Sequence, residues 1–155
     1  MEPFRATLLN PPFAQDPPLK LSVNARTLGL VIAVLAGLGV LVEVVGLLGV
    51  LSLGVAYAAS GFAGIAFVAI VGLVLDLAAA VLSLTGGWRM SQGQASGKPL
   101  VIYGLAIGFA GEIVVGVGYE SLGNALVGMV VLFAIYYLVI VSRFPAPGGA
   151  PPPGA

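Results

Sequence analysis

The chain has 155 residues, of which 59% are hydrophobic and only 8% are charged, whereas a soluble domain has roughly 25% charged residues. Its apolar runs are long enough to cross a bilayer, which takes about 20 residues, so the composition predicts an integral membrane protein. Six basic and six acidic residues leave no net charge to attract nucleic acid, and the absence of Cys and His excludes disulfides and removes the commonest metal ligand and general base.

Residues 1–26 are predicted to form a flexible cytoplasmic arm. The arm is rich in proline, which favours extended or irregular backbone over a helix. An alternative is that the arm docks Phe4 or Phe13 on the membrane surface or on a partner. Because it has no continuous apolar run, it does not resemble a cleavable signal peptide, and we expect insertion to rely on the first spanning helix.

The first half of the membrane domain, which is predicted over residues 27–143, has no Lys or Arg between Thr27 and Trp88. That stretch is too long for one span and about right for two. We predict transmembrane helices over residues 28–50 and 62–84. Serine and glycine interrupt the aliphatic run between them, so the turn is expected within that interval.

A polar loop is predicted between the second and third helices. Gly86 and Gly87 are expected to end the second helix because glycine is a helix breaker. Trp88 and Arg89 follow, an aromatic side chain and a cation that suit the membrane interface, and the loop continues to Lys98.

The second half of the membrane domain is predicted to contain two shorter helices. Pro99 fits the first turn of a third helix over residues 100–118, where its missing backbone donor costs little. A tight connection leads to a fourth helix over residues 122–141. Residues 144–155, which are mostly Pro, Gly and Ala, are predicted to form a disordered tail.

The basic residues all fall on one side of this arrangement. They are Arg5, Lys20, Arg26, Arg89, Lys98 and Arg143. The positive-inside rule therefore predicts that both termini and the polar loop lie in the cytoplasm and that Glu120 lies outside. We interpret Arg26, Trp88, Arg89, Lys98 and Arg143 as interface and topology determinants. The expected fold is all-α, a bundle of four antiparallel transmembrane helices in the cell membrane, most consistent with the plasma membrane of a prokaryote.

Small residues recur at intervals of about four along three of the predicted helices. This spacing puts them on one helix face, where backbones can approach closely. The glycines predicted to pack helices together are Gly29, Gly37, Gly39, Gly46, Gly72, Gly104, Gly108 and Gly116. Of these, Gly108 is predicted to lie at a close helix contact.

Three acidic residues, Glu43, Asp76 and Glu112, lie within the predicted spans, where a charge costs about 2.5 to 3.5 kcal/mol. Counting ~1.5 Å per residue puts Asp76 ~18 Å from Trp88 and Glu112 ~20 Å from Pro99, just past the midplane. The same count puts Glu43 ~24 Å from Thr27, nearer the outer surface. No cation lies at that depth, so the acids must be protonated, face water, bind a cation or form hydrogen bonds. Candidate hydrogen-bond partners are Ser83, Tyr103 and Asn124.

The sequence has no phosphate-binding glycine motif, no spacing of metal ligands and no Ser-His pair. We therefore expect no enzyme activity, no cofactor and no metal. Four spans with glycine stripes and buried acids invite comparison with the duplicated proteolipid subunit of rotary ATPases. That family carries its acid on the helix after the glycine-rich one, whereas Glu43 and Glu112 lie on the glycine-rich helices themselves, so the chain is not assigned to it.

The sequence is compatible with two functions. The leading hypothesis is a non-enzymatic accessory or scaffold subunit that assembles in the lipid bilayer, with itself or with other membrane subunits, through its glycine-rich faces. The alternative is an oligomeric transporter or channel that conducts protons or cations through Asp76 and Glu112. In the first case the acids bond helices together, and in the second they form part of the path.

Overall fold

The computed structural model describes residues 2–59, 63–118 and 122–145, and within these ranges the chain forms helices and no strand. A short helix is followed by four long ones. Their bounds are Glu2–Leu9 for α1, Ala25–Ala59 for α2, Ala63–Ser91 for α3, Gly97–Gly118 for α4 and Leu122–Val141 for α5. Each of the long helices is long and apolar enough to cross a membrane, which confirms the prediction of an all-α chain with four candidate spans.

Consecutive long helices pack side by side and run antiparallel. α3 packs along both α2 and α4, and α5 packs along α4, whereas α2 and α5 barely touch along their lengths. These two outer helices meet where the chain enters α2 and leaves α5. There the backbone N–H of Ala25 donates to the carbonyl of Arg143 at 2.9 Å, and the N–H of Arg143 donates to the carbonyl of Val23 at 2.9 Å.

The buried core lies at that same end of the bundle. Its fully buried side chains come from the start of α2, the end of α3, the start of α4 and the end of α5, and they include Ala25, Met90, Val101 and Val139. All six basic residues lie in or next to these helix ends or in the arm. We call it the basic end, and the opposite end of the bundle the far end.

Away from the core, large apolar side chains remain exposed. The outer face of α2 is the clearest case, with Leu41, Val42 and Val45 exposed by 64%, 67% and 70%. An apolar surface of this extent is unfavourable in water and suits contact with lipid or with another apolar helix.

The N-terminal arm differs from the irregular backbone that its prolines predicted, because Glu2–Leu9 forms α1 and Pro12–Ala14 forms a turn of 3-10 helix. Of the arm's prolines only Pro3 lies within α1, in the first turn, where proline has no helical hydrogen bond to lose. The expectation of wholly irregular backbone was therefore wrong for this segment.

The arm docks on the chain's own α5. The Tyr136 hydroxyl donates to the Leu8 carbonyl at 2.7 Å. The Tyr137 hydroxyl donates to the Leu19 carbonyl at 2.9 Å and accepts from its N–H at 3.0 Å. The Phe13 ring lies 6.1 Å and 5.7 Å from the Tyr136 and Tyr137 rings, so one of the two aromatic residues predicted to dock does so within the chain. The Phe4 side chain lies outside the described part.

Helix α2 is longer than predicted at both ends. It begins at Ala25 because Asn24 caps it, its side-chain oxygen accepting from the N–H of Arg26 at 2.9 Å. It continues through most of the interval where a turn was predicted, to Ala59. The Ser52 hydroxyl donates to the Gly49 carbonyl at 2.8 Å, so serine is satisfied without a break in the helix. The rest of the predicted turn, residues 60 and 61, lies outside the described ranges.

Helix α3 also continues past its predicted end, because Gly86 and Gly87 lie inside it. The break comes at Gly93, whose φ of 81° lies in the left-handed region that favours glycine. The N–H of Gly93 donates to Met90 O at 2.9 Å and the N–H of Gln94 donates to Arg89 O at 2.9 Å, the pair of bonds of a Schellman cap.

The last two helices follow the prediction more closely. α4 begins at Gly97 and contains Pro99 in its first turn, and α5 spans the predicted interval, Leu122–Val141. The predictions for Glu120 and for the tail beyond Pro145 concern residues outside the described ranges.

Candidate functional site

The acids of α2 and α3 lie at one level. A β-carbon built on Gly46 would lie 3.3 Å from Leu73 Cδ2, which fixes the antiparallel register of the two helices. Gly46 is three residues after Glu43 and Leu73 is three residues before Asp76. Glu43 therefore lies opposite Asp76.

The third acid lies at the same level on α4. A β-carbon built on Gly111 would lie 2.5 Å from Asp76 Oδ1, and Gly111 is the residue before Glu112. Glu112 in turn contacts α5, because a β-carbon built on Gly128 would lie 2.8 Å from Glu112 Oε2. We call Glu43, Asp76 and Glu112 the acid row, since they lie at the same level on three neighbouring helices.

The acid row has no polar partner in the described part of the chain. Its three side chains are half-buried, and no hydrogen bond or ion pair within residues 2–59, 63–118 and 122–145 reaches them. Asp76 is within electrostatic range of both Glu43 and Glu112. The hydrogen bonds considered from the sequence, to Ser83, Tyr103 or Asn124, do not form, and no group of acids in these ranges has the geometry of a metal site.

Glu43 was expected to lie nearer the outer surface than Asp76, and its position at the same level corrects this. The depths predicted from the sequence were measured from Thr27 for Glu43 and from Trp88 for Asp76. This assumed that Thr27 and Trp88 lie at the same level. A β-carbon on Gly29 would lie 2.5 Å from Met90 Cβ, so Thr27 lies beyond the level of Trp88. The offset of about four residues, or ~6 Å, equals the difference in depth that was predicted.

The acid row lies close to the far end of α4 and α5. α4 continues for about six residues beyond Glu112, which is ~9 Å of helix. α2 continues for about 16 residues beyond Glu43, or ~24 Å, so α2 and its neighbour α3 extend past the shorter pair. The acid row is thus separated from the far end of the short helices by fewer than two turns.

The closest approaches of one helix backbone to another lie at the basic end and are made by glycines. A β-carbon on Gly29 would lie 2.7 Å from the Gly87 carbonyl oxygen, and one on Gly87 would lie 2.7 Å from the Gly29 carbonyl oxygen. A β-carbon on Gly86 would lie 2.7 Å from the backbone oxygen of Gly97. The two consecutive glycines of α3 therefore contact different helices, Gly87 facing α2 and Gly86 facing α4.

The small residues spaced by four along α4, which form its glycine stripe, do not all face the same neighbouring helix. A β-carbon on Gly104 would lie 2.7 Å from Ala79 O of α3, whereas the closest atom to one on Gly108 is Leu132 Cδ1 of α5 at 3.5 Å. Glu112 contacts α5, and so does Gly116, since a β-carbon on Gly116 would lie 2.6 Å from Ala125 Cβ. Residues spaced by four advance ~40° around a straight helix at each step, so the stripe turns away from α3 and towards α5. Gly108 is at an ordinary contact distance rather than the close one predicted.

The other predicted glycines vary in the same way. A β-carbon on Gly72 would lie 2.6 Å from Val115 of α4, but those on Gly37 and Gly39 would lie 3.7 Å and 3.8 Å from α3 side chains. Several close contacts involve glycines that were not among those predicted to pack helices together. They are Gly86, Gly87, Gly97, Gly111 and Gly128. On α4 the glycines at 97, 104 and 111 all face α3 and are spaced by seven residues, and this 3.5-residue period is the signal that could have found Gly97 and Gly111.

The predicted interface residues lie at the basic end, in different surroundings. Trp88 and Arg89 are exposed in the last turns of α3. The Arg26 guanidinium packs on the loop, since a β-carbon on Gly93 would lie 2.8 Å from its Nη2. Arg143 is exposed and pairs through its backbone with the segment before α2.

Lys98 differs from the other basic residues because it is half-buried. Its ammonium donates to the backbone carbonyl of Ser142 and lies 5.8 Å from the centre of the Phe144 ring. These contacts connect the first turn of α4 to the residues that follow α5.

Comparison with known proteins adds no relative: no family model, no curated protein and no solved structure matches this chain. The geometry itself defines a small protein with four apolar helices that are compatible with a multi-pass membrane protein. Its two chemically distinct features are the acid row and the basic end.

Proposed function

We propose that this chain is a multi-pass cell-membrane protein that acts as a non-enzymatic accessory or scaffold subunit. It binds a second copy or another membrane subunit through the acid row. The observation that carries the proposal is that the three half-buried carboxyls at one level have no hydrogen-bond or ionic partner within the described ranges.

An unpartnered carboxyl inside a membrane is costly, and acids in such positions normally pair with one another or with donors. A partner that places an amide, hydroxyl or cationic side chain at the level of the acid row would remove that cost. Glycines at close helix contacts, such as Gly29 and Gly104, face helices of their own chain. The interface of this proposal therefore lies at the acid row rather than at those glycines.

The orientation proposed for the chain puts the basic end in the cytoplasm, as the positive-inside rule requires. A reporter fused after Ala155 is expected to react as cytoplasmic, and one inserted at Ser60 as external. The opposite labelling would reverse the orientation without changing the bundle.

Association through the acid row can be tested with the affinity-tagged chain extracted in a mild detergent. We expect the parent to elute as a defined complex by light scattering. The double variant Glu43→Gln and Asp76→Asn should elute with a smaller mass, because the carboxylate contacts of the partner are lost. The control is Asp16→Asn, which removes an exposed acid of the arm. Equal masses for parent and double variant would contradict the proposal.

The second candidate function is a conductor of protons or cations through Asp76 and Glu112. It is favoured by the electrostatic proximity of Asp76 to both other acids and by the short distance from Glu112 to the far end of α4. Purified chain in liposomes should then carry a flux that Asp76→Asn abolishes. A parent that associates but carries no flux supports the subunit function instead.

A further inference from the structure

A cavity lies at the basic end, beneath the docked arm. Its volume is about 340 Å³, within the range of pockets that hold small molecules. Leu9 and Ala14 of the arm line one side, and Ile102 of α4 and Ile140 of α5 line the other. Most of the wall is apolar, so the cavity suits a ligand with an apolar portion.

Two polar side chains, Asn10 and Lys98, also line the cavity. The Lys98 ammonium has three donors, and only one hydrogen bond, to the Ser142 carbonyl, is formed in the described part of the chain. No carboxylate among the described residues pairs with Lys98. A half-buried cation with unused donors at the wall of a cavity is a site for an anion.

The charges around the cavity favour an anion as well. The arm and the four helix ends that form the basic end contain all six basic residues and only two of the acidic ones, Glu2 and Asp16. In the proposed orientation this end lies at the level of lipid headgroups, and basic pockets between membrane helices hold the phosphate groups of anionic lipids.

We propose that this cavity binds a phosphate ester, with the anionic oxygens on Lys98 and Asn10 and the apolar portion against Leu9, Ile102 and Ile140. The phosphate group is the shared chemistry of two sources, the headgroup of an anionic phospholipid and a soluble phosphate. The site is separate from the acid row, so the proposal holds whether or not the acid row binds a partner.

The test uses the full-length chain in a zwitterionic detergent, with binding followed by native mass spectrometry and thermal unfolding. Three probes are added: phosphatidylglycerol, phosphatidylcholine with the same acyl chains, and inorganic phosphate. We expect phosphatidylglycerol to bind about five- to tenfold more tightly than phosphatidylcholine, and Lys98→Gln to remove that preference. If inorganic phosphate displaces phosphatidylglycerol, the source includes soluble phosphate, and if it does not, the lipid is the ligand.

Arg89→Gln is the matched control, because Arg89 is an exposed cation at the same end that does not line the cavity. It should keep the preference, whereas an equal loss in Lys98→Gln and Arg89→Gln would show general surface attraction and overturn the proposal. Ala14→Phe fills the cavity without removing the Lys98 hydrogen bond and should also weaken binding. A preference that survives in Ala14→Phe, or no preference in the parent, overturns the proposal even if Lys98→Gln does not fold.

Discussion

The two ends of the bundle are held together in different ways. At the basic end, backbones are in contact where Gly29 meets Gly87, and fully buried side chains surround the crossing. At the acid row, helices touch through a carboxyl lying on a glycine, as Asp76 does on Gly111, and no hydrogen bond in the described ranges supports the contact. The comparison indicates that the basic end sets the register of the helices and that the acids take their common level from it.

The charges divide in the same way. The chain is neutral overall, yet its basic residues lie at one end and the acid row lies towards the other. A chain with this division has one end that attracts anions and one level at which the acids lack a hydrogen-bond donor within the described ranges. Stability and binding can therefore be changed separately.

The largest effect is expected at the helix crossing of the basic end. In Gly29→Ala the new methyl group would lie 2.5 Å from Met90 Cβ and 2.7 Å from the Gly87 carbonyl oxygen, so the helices must move apart. We expect a loss of about 1 to 3 kcal/mol in the free energy of unfolding, the usual cost of overpacking. Thermal unfolding followed by circular dichroism in detergent measures it.

Gly49→Ala is the matched control on the same helix, since nothing lies within 4 Å of a β-carbon there. Alanine is the better helix former by about 1 kcal/mol, so this variant should be as stable as the parent or more stable. If the two variants shift the midpoint equally, the crossing at Gly29 does not hold the bundle together.

A smaller difference is expected between two glycines one turn apart on α4. Gly104→Ala places a methyl group 2.7 Å from Ala79 O and should destabilise the bundle, whereas Gly108→Ala finds its nearest atom at 3.5 Å and should be tolerated. Gly108→Leu should still destabilise, because the larger side chain exceeds that space. Ile113, which is 52% exposed, is the control position for leucine. Equal stability of the two alanine variants would contradict the inference that the glycine stripe of α4 turns away from α3 between Gly104 and Gly108.

The glycine stripe of α4 also shows how much of the fold could be predicted from the sequence. A four-residue spacing correctly put small residues and Glu112 on one side of α4, but it could not tell which neighbour each would meet, because the spacing drifts around the helix. Similarly, Gly86 and Gly87 predicted a helix end from a propensity that applies in water. In apolar surroundings the helix continues because its backbone groups need partners, and the true end required the left-handed residue Gly93.

The candidate site was predictable in part. The three acids and the six basic residues stand out in any apolar sequence, and α5 was bounded correctly because polar or small residues flank it. The common level of Glu43 and Asp76 was not predictable, since it depends on the crossing at Gly29. The cavity beside Lys98 also depends on the docked arm, which the prolines had suggested would be irregular.

The docking of the arm on α5 should weaken when a single tyrosine hydroxyl is removed. Tyr136→Phe and Tyr137→Phe each remove the hydroxyl bonded to Leu8 or Leu19, at a cost of about 1 kcal/mol per hydrogen bond. Amide hydrogen exchange over residues 8–19 should become faster while the long helices keep their protection. Tyr103→Phe, whose hydroxyl has no hydrogen bond within the described ranges, is the control. Unchanged exchange in both α5 variants would show that packing of Phe13 alone holds the arm.

The smallest effect on stability is expected at the acid row itself. Glu112→Gln preserves the size of the side chain, and no hydrogen bond in the described part of the chain is there to be lost, so the unfolding midpoint should match that of the parent. Gly128→Ala should also cost less than Gly104→Ala, because its methyl group meets the flexible end of the Glu112 side chain rather than backbone.

These two variants separate the functions proposed for the acid row. A partner that donates to the carboxylate should bind Glu112→Gln more weakly, and a proton path should lose its flux, while both variants stay folded. In Gly128→Ala the carboxyl is displaced but can still take up and release a proton, so association should weaken more than flux. A large fall in the unfolding midpoint of Glu112→Gln would contradict both functions, since it would show that the carboxyl bonds the helices of its own bundle together.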